Sequence, residues 1–131
     1  MSEPAPAVTG IAALAVDCHD PPALARWWSR LLGGEVEVEV DVEGDATLHT
    51  PDGLAVDFAR VPEPKTVKNR LHLDLRSTDL AEATAQAVAL GATRADDVYD
   101  GGRWQVLRDP EGNEFCLLRP RRSGPQAKPA G

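Results

Sequence analysis

Thr50-Pro-Asp-Gly-Leu-Ala-Val-Asp-Phe-Ala-Arg-Val-Pro62 and Asp109-Pro-Glu-Gly-Asn-Glu-Phe-Cys-Leu-Leu-Arg-Pro120 carry the same pattern at two places in one chain. Pro51 matches Pro110, Gly53 matches Gly112 and Arg60 matches Arg119, all at an offset of 59 residues. Each stretch is a proline-acidic-glycine turn followed by alternating apolar residues, the signature of a turn entering a strand. The same offset pairs Leu14 with Leu73, Val16 with Leu75 and Asp20 with Asp79. One unit is therefore written twice, and every position has an equivalent against which it can be judged.

Working outward, each half begins with alternation. Residues 71–76, Leu-His-Leu-Asp-Leu-Arg, put three leucines on one face and His72, Asp74 and Arg76 on the other. Residues 11–17 are the counterpart, with Leu14 and Val16 opposite Ala13, Ala15 and Asp17. A helix follows in each half. Asp20 precedes Pro21-Pro22, which suits a cap followed by proline in the first turn. Leu24, Trp27, Trp28 and Leu31 then form an apolar stripe that Gly33-Gly34 ends. In the second half Thr78 or Asp79 caps, Leu80, Ala83, Ala87 and Leu90 form the stripe, and Gly91 stops it.

Three more strands complete each half: about 36–42, 45–49 and 54–61, then 94–99, 103–108 and 113–119. The predicted class is α+β, two tandem βαβββ modules. Module one spans 8–61, the linker 62–70 and module two 71–119, together a single domain over 8–119. The ends, 1–7 and 120–131, are rich in proline, glycine and small residues and are expected to be disordered. A sheet covered by a helix on one side leaves its other side free. Two such sheets brought together form a cup-shaped mixed sheet whose lining carries the chemistry.

The bulk numbers narrow the partners. The 131 residues carry a net charge of −7, with a pI of about 4.9. A polyanion is repelled by most of such a surface, which argues against nucleic acid. The apolar runs are too short to span a bilayer, and no secretory leader is evident. Two cysteines, Cys18 and Cys116, are too few for a disulfide framework and point to a reduced, cytoplasmic protein.

The duplicated βαβββ order, with Asp109-Pro-Glu-Gly-Asn-Glu-Phe-Cys and Val61-Pro-Glu-Pro-Lys-Thr-Val-Lys-Asn-Arg-Leu-His-Leu-Asp-Leu75, resembles the vicinal-oxygen-chelate superfamily. That superfamily includes glyoxalase I, extradiol dioxygenases, fosfomycin-resistance enzymes and bleomycin-binding proteins. The strings are similar to those of its glyoxalase-like branch. The resemblance implies metal-ligand positions on the first and last strands of each module, which here are Ala13, Asp57, His72 and Cys116. Alanine offers no ligand atom. Asp57, His72 and Cys116 would make a three-ligand site, an N/O/S mixture that zinc accepts. The alternative is a degenerate metal site that leaves a binding cup without metal, and the missing ligand favours it.

Within the cup, His72, Asp74 and Glu114 are the candidate catalytic residues. His72 and Asp74 stand two apart on one strand face, where a carboxylate tunes an imidazole for proton transfer; a plain structural pair is the alternative. Trp104, Asp57, Cys116 and Arg76 are the candidate ligand-binding residues. Such a lining suits a small neutral or cationic organic molecule. Lys65, Lys68 and Arg70 form a basic cluster in an acidic chain, read either as a contact for an anion or as a solvated linker, the latter preferred. Trp27 and Trp28 fit the helix core, with Trp27 the candidate for exposure at a homodimer interface. Two functions remain open. One is a lyase- or isomerase-type enzyme acting on a small polar molecule; the other is a ligand-sequestering protein of the bleomycin-resistance kind.

Overall fold

In a computed structural model of the chain, residues 5–39, 44–95 and 104–121 are described. The expected tails at 1–4 and 122–131, and the expected strand segments at 40–42 and 96–99, lie outside them. The chain divides into two compact units, Met1–Val61 and Pro62–Gly131.

The first unit runs β1 (Leu14–Cys18), α1 (Pro21–Leu32), β2 (Glu35–Val38), β3 (Ala46–His49) and β4 (Ala55–Arg60). The second repeats the order as β5 (Leu73–Arg76), α2 (Leu80–Leu90), β6 (Thr93–Arg94), β7 (Trp104–Arg108) and β8 (Glu114–Leu118). Each makes a four-stranded mixed sheet, β1-β4-β3-β2 and β5-β8-β7-β6, whose first pair is parallel and whose other pairs are antiparallel. The architecture is α+β with two tandem βαβββ modules.

The repeat extends to the hydrogen-bond register. Ala15 pairs with Asp57 and Thr47 with Asp57, while Asp74 pairs with Cys116 and Val106 with Cys116. These pairings map onto one another at the offset of 59. The turns repeat too: Thr50 N–H donates to the Leu54 carbonyl as Asp109 N–H donates to that of Asn113. The second helix is one residue shorter, so the last strand pair shifts by one, with Glu35 opposite His49 but Thr93 opposite Arg108.

Local chemistry sets the helix ends. Asp20 Oδ1 accepts from Ala23 N–H at 3.2 Å and Asp79 Oδ1 from Glu82 N–H at 3.0 Å, satisfying donors the first turn leaves free. Past α1, Gly34 has a φ of 95°, and a Cβ there would lie 2.2 Å from the His49 carbonyl oxygen, so only glycine passes.

In the first unit α1 lies on β2, β3 and β4 and buries Leu24, Trp27 and Trp28 together with Leu48, Val56 and Phe58. The two indoles meet edge to face with centroids 5.3 Å apart. Trp27 is only 6% exposed, which corrects the expectation that it is an exposed interface residue: α1 turns both indoles into the core. In the second unit α2 lies on β7 and β8, over Leu107, Phe115 and Leu117. Both helices rest chiefly on the later strands, and β1 and β5 lie at sheet edges. Leu14, Val16, Leu73 and Leu75 are accordingly only half buried. The three-leucine face also needs correction. The strand begins at Leu73, and Leu71, before it, is 85% exposed.

Candidate functional site

Alternation in β5, β7 and β8 sorts the second unit's residues onto two faces. Leu73, Leu75, Leu107, Phe115 and Leu117 share the face that carries α2. Asp74, Val106, Cys116, Trp104, Leu118, Arg108 and Glu114 share the other, joined by His72 just before β5. On this second face lies a cavity of about 370 Å³. Its apolar part is Trp104, Val106, Cys116 and Leu118, which pack with Ala95 as a small buried cluster. Its polar edge is Lys68, His72, Asp74 and Glu114.

The polar groups are mutually held. His72 Nε2 lies 3.1 Å from Asp74 Oδ1, with both side chains about half exposed. Asp74 also accepts a hydrogen bond from the Cys116 thiol. Burial, then the charge of Asp74 and that hydrogen bond, push the Cys116 thiol up to about 11, against an opposing pull from Lys68. Cys116 is thus a neutral thiol at physiological pH.

Glu114 is the most constrained carboxylate. Its side chain is only 4% exposed, yet it accepts from Lys65 Nζ at 3.1 Å, Arg108 Nε at 3.2 Å and Asn69 N–H at 3.1 Å. Burial alone would raise its pKa, but donation from Asn69, Lys65 and Arg108 outweighs it and holds the carboxyl at about 2. Asn69 returns the contact by accepting from Glu114 N–H at 2.8 Å. The preferred reading of 62–70 as a solvated linker is therefore corrected at Lys65 and Asn69, which clamp the start of β8. Sequence reasoning missed this clamp. The available signal was Arg108 facing Glu114 across a tight turn, which leaves a carboxylate needing further donors.

Asp57 belongs to the first unit, where Thr47 Oγ1 donates to its Oδ1 at 2.7 Å. Arg76 is exposed, and its Nη1 donates to the Arg119 carbonyl at 2.7 Å rather than lining the cavity. Arg70 is exposed as well.

The glyoxalase-like domain family matches residues 13–118, the whole span of both modules. The chain belongs to this family. As a glyoxalase-like protein it sits within the vicinal-oxygen-chelate superfamily, and solved structures with the same fold agree. One is the fosfomycin resistance protein FosX from Listeria monocytogenes, complexed with Mn(II) and dihydroxypropylphosphonic acid. It superposes with a TM-score of 0.67 at 13% identity, covering 85% of this chain and 90% of that one. A glyoxalase/bleomycin resistance protein/dioxygenase family enzyme from Burkholderia phytofirmans gives 0.62 at 17% identity, covering 82% and 96%. TioX from Micromonospora gives 0.54 at 22% identity, covering 82% and 97%. At these identities the likeness is one of fold. No functionally curated protein matches the chain.

The fit of a metal is decided by the donors. Ala13, at the first ligand position, has none, and Asp57 is engaged by Thr47. His72, Asp74 and Cys116 offer one nitrogen, one oxygen and one sulfur within 4.8 Å of one another. That set fits zinc with an open position.

Proposed function

We propose that this glyoxalase-like protein binds a small organic molecule in the second unit's cavity, with no metal required for binding. The observation that supports this is the cavity's make-up: an aromatic wall at Trp104, an aliphatic floor of Val106 and Leu118, and a paired His72–Asp74 at its edge. Its volume suits a small ligand with an apolar body and a few hydrogen-bonding groups. Cys116, as a neutral thiol, contributes packing and one hydrogen bond.

His72 is the side chain here whose ring nitrogen can accept and return a proton, with Asp74 fixing its ring. Glu114, already committed to Lys65, Arg108 and Asn69, acts as a fixed anion. If the ligand is turned over, a lyase- or isomerase-type proton transfer at His72 is the chemistry these groups suit. If it is not, the protein sequesters it. Tryptophan fluorescence separates the cavity from the rest of the molecule, because Trp27 and Trp28, on α1, are buried in the first unit's core. A ligand panel should contain compounds that quench the wild type and leave a Trp104→Phe variant unquenched. Quenching that survives this substitution would move the site elsewhere.

The grouping of His72, Asp74 and Cys116 supports a second reading, a three-ligand zinc site. Bound zinc would supply Lewis acidity toward an oxygen of the ligand. Binding requires the thiol to lose its proton, so affinity should be weak and rise with pH. A stoichiometric ion retained through dialysis, and lost in Cys116→Ser, would favour this reading over the first.

We also propose a homodimer in a reduced, cytoplasmic setting. Each four-stranded sheet ends on edge strands with backbone groups to pair, and neither Cys18 nor Cys116, both buried, is in a disulfide. Light scattering at micromolar concentration tests the dimer. No described helix is long and apolar enough to cross a membrane.

A further inference from the structure

A second recess, of about 670 Å³, adjoins the cavity and shares Lys68 and Glu114 with it. Lys65, Arg108 and the Gly112 turn complete its wall. Three cations, Lys65, Lys68 and Arg108, therefore stand with two carboxylates, Glu114 and Asp74, across the two recesses. Glu114 is satisfied by Lys65 and Arg108, and among the described residues Lys68 has no ion-pair partner. In a chain of net charge −7, this leaves a local positive excess at the mouth of an apolar pocket. Lys68 also reaches the pocket electrostatically, since its charge acts on the Cys116 thiol at the floor.

We infer that the ligand is an amphipathic anion, with its apolar, flat body against Trp104 and its acidic group at Lys68, beside Lys65 and Arg108. This rests on the proposed cavity and goes beyond it by fixing the ligand's charge, which reverses the neutral or cationic expectation. The physical reason is placement. Of the two described carboxylates that line the pocket, Glu114 is already neutralised by Lys65 and Arg108 and Asp74 is held by His72. A cation entering would be repelled by Lys68, which no described ion pair offsets; a carboxylate, sulfonate or phosphonate would be attracted. The pocket's apolar floor and basic mouth would then be used together, the floor for affinity and the mouth for orientation.

A matched series tests charge separately from shape: indole-3-acetate, its primary amide and tryptamine share one ring and differ only in the end group. Binding is read by quenching of Trp104 fluorescence, using Trp104→Phe as the blank, and by chemical-shift changes. The expected order is acid, then amide, then amine, with the acid favoured over the amide about tenfold, as a unit charge within a few ångströms provides. That advantage should shrink with added salt. It should vanish in Lys68→Gln, return in Lys68→Arg, and be unaffected in Arg26→Gln on the exposed side of α1. Equal binding of acid and amide, or an acid preference that survives Lys68→Gln, overturns the anion assignment while leaving the cavity in place. If no member perturbs Trp104 or its neighbours, the cavity reading and the anion fail together.

Discussion

Ala15, Thr47 and Asp57 in the first module stand where Asp74, Val106 and Cys116 stand in the second, strand for strand and in the same register, and Ala13 just before β1 matches His72 just before β5. In the first module that face carries two methyl groups and a carboxylate tied to a neighbouring hydroxyl. In the second it carries an imidazole–carboxylate pair, a thiol and an apolar floor. The helix sides differ in the opposite sense. α1 buries its own Leu24, Trp27 and Trp28, whereas α2 is alanine-rich and buries only Ala87 completely. One copy thus carries the larger buried aromatic core and the other the polar face proposed to bind a ligand. A scaffold whose register is kept by backbone pairing tolerates either set of side chains on its open face.

The largest expected effect tests the stabilising copy. Trp28→Ala removes an indole that is 5% exposed and breaks the edge-to-face pair with Trp27, so it should cost about 3–5 kcal/mol. Ala87→Gly in α2 should cost only about 1 kcal/mol, the helix-propensity difference. Denaturant unfolding of the two variants checks the asymmetry. Similar losses would mean the modules share the load equally.

Next comes the clamp on β8, which the first module lacks because Ala55 occupies the place equivalent to Glu114. Glu114→Gln should cost about 2 kcal/mol near pH 7, the scale of charge-assisted hydrogen bonds partly buried. The pH dependence has a definite sign. The folded-state pKa is depressed from 4.5 to about 2, so this stability is present above pH 4.5 and lost as pH falls toward 2. Acid titration of stability should therefore be shallower in Glu114→Gln than in the wild type. Parallel curves would show that the clamp contributes nothing in solution.

A smaller effect is expected at the site itself. His72→Ala should weaken binding of an indole-3-acetate-type probe about tenfold, roughly 1.4 kcal/mol, while leaving unfolding midpoints within about 0.5 kcal/mol. His72 lies outside β5 and is 41% exposed at its side chain, so the leucine face that anchors the strand is untouched. Unfolding of the variant would instead make His72 a structural residue.

Much of this contrast was legible before any coordinates. Period-two alternation, caps at Asp20 and Asp79 and the duplicated proline–glycine turns are local signals, and they located all eight strands and both helices apart from segments outside the described residues. His72, Asp74, Trp104, Glu114 and Cys116 could be named together because alternation alone assigns faces. What stayed hidden depends on how far a helix or loop reaches. Both tryptophans lie on one wide stripe, and only the packing angle of α1 decides that Trp27 is buried. Leu71 continues the alternation but has no strand opposite it. Lys65 and Asn69 read as linker residues because nothing local says that Glu114, about 45 residues away, needs donors.

The finest test of the second module concerns the Cys116 thiol, whose equivalent in the first is Asp57. Alkylation requires the thiolate, and burial, then Asp74, hold the thiol near 11. In a Cys18→Ser background, where Cys116 is the remaining cysteine, iodoacetamide should react slowly at pH 8 and speed up toward pH 11. Asp74→Asn removes a negative charge and an acceptor that both favour the protonated thiol, so it should raise the rate at fixed pH, roughly three- to tenfold. Lys68→Gln removes the one opposing influence and should lower it. The opposite signs matter more than the sizes, because simple loosening of the fold would accelerate both variants. If both do speed up, access rather than charge limits the reaction. If Asp74→Asn leaves the rate unchanged while Lys68→Gln lowers it, the Asp74–Cys116 hydrogen bond does not persist in solution, and the electrostatic contrast between the modules narrows to Lys68.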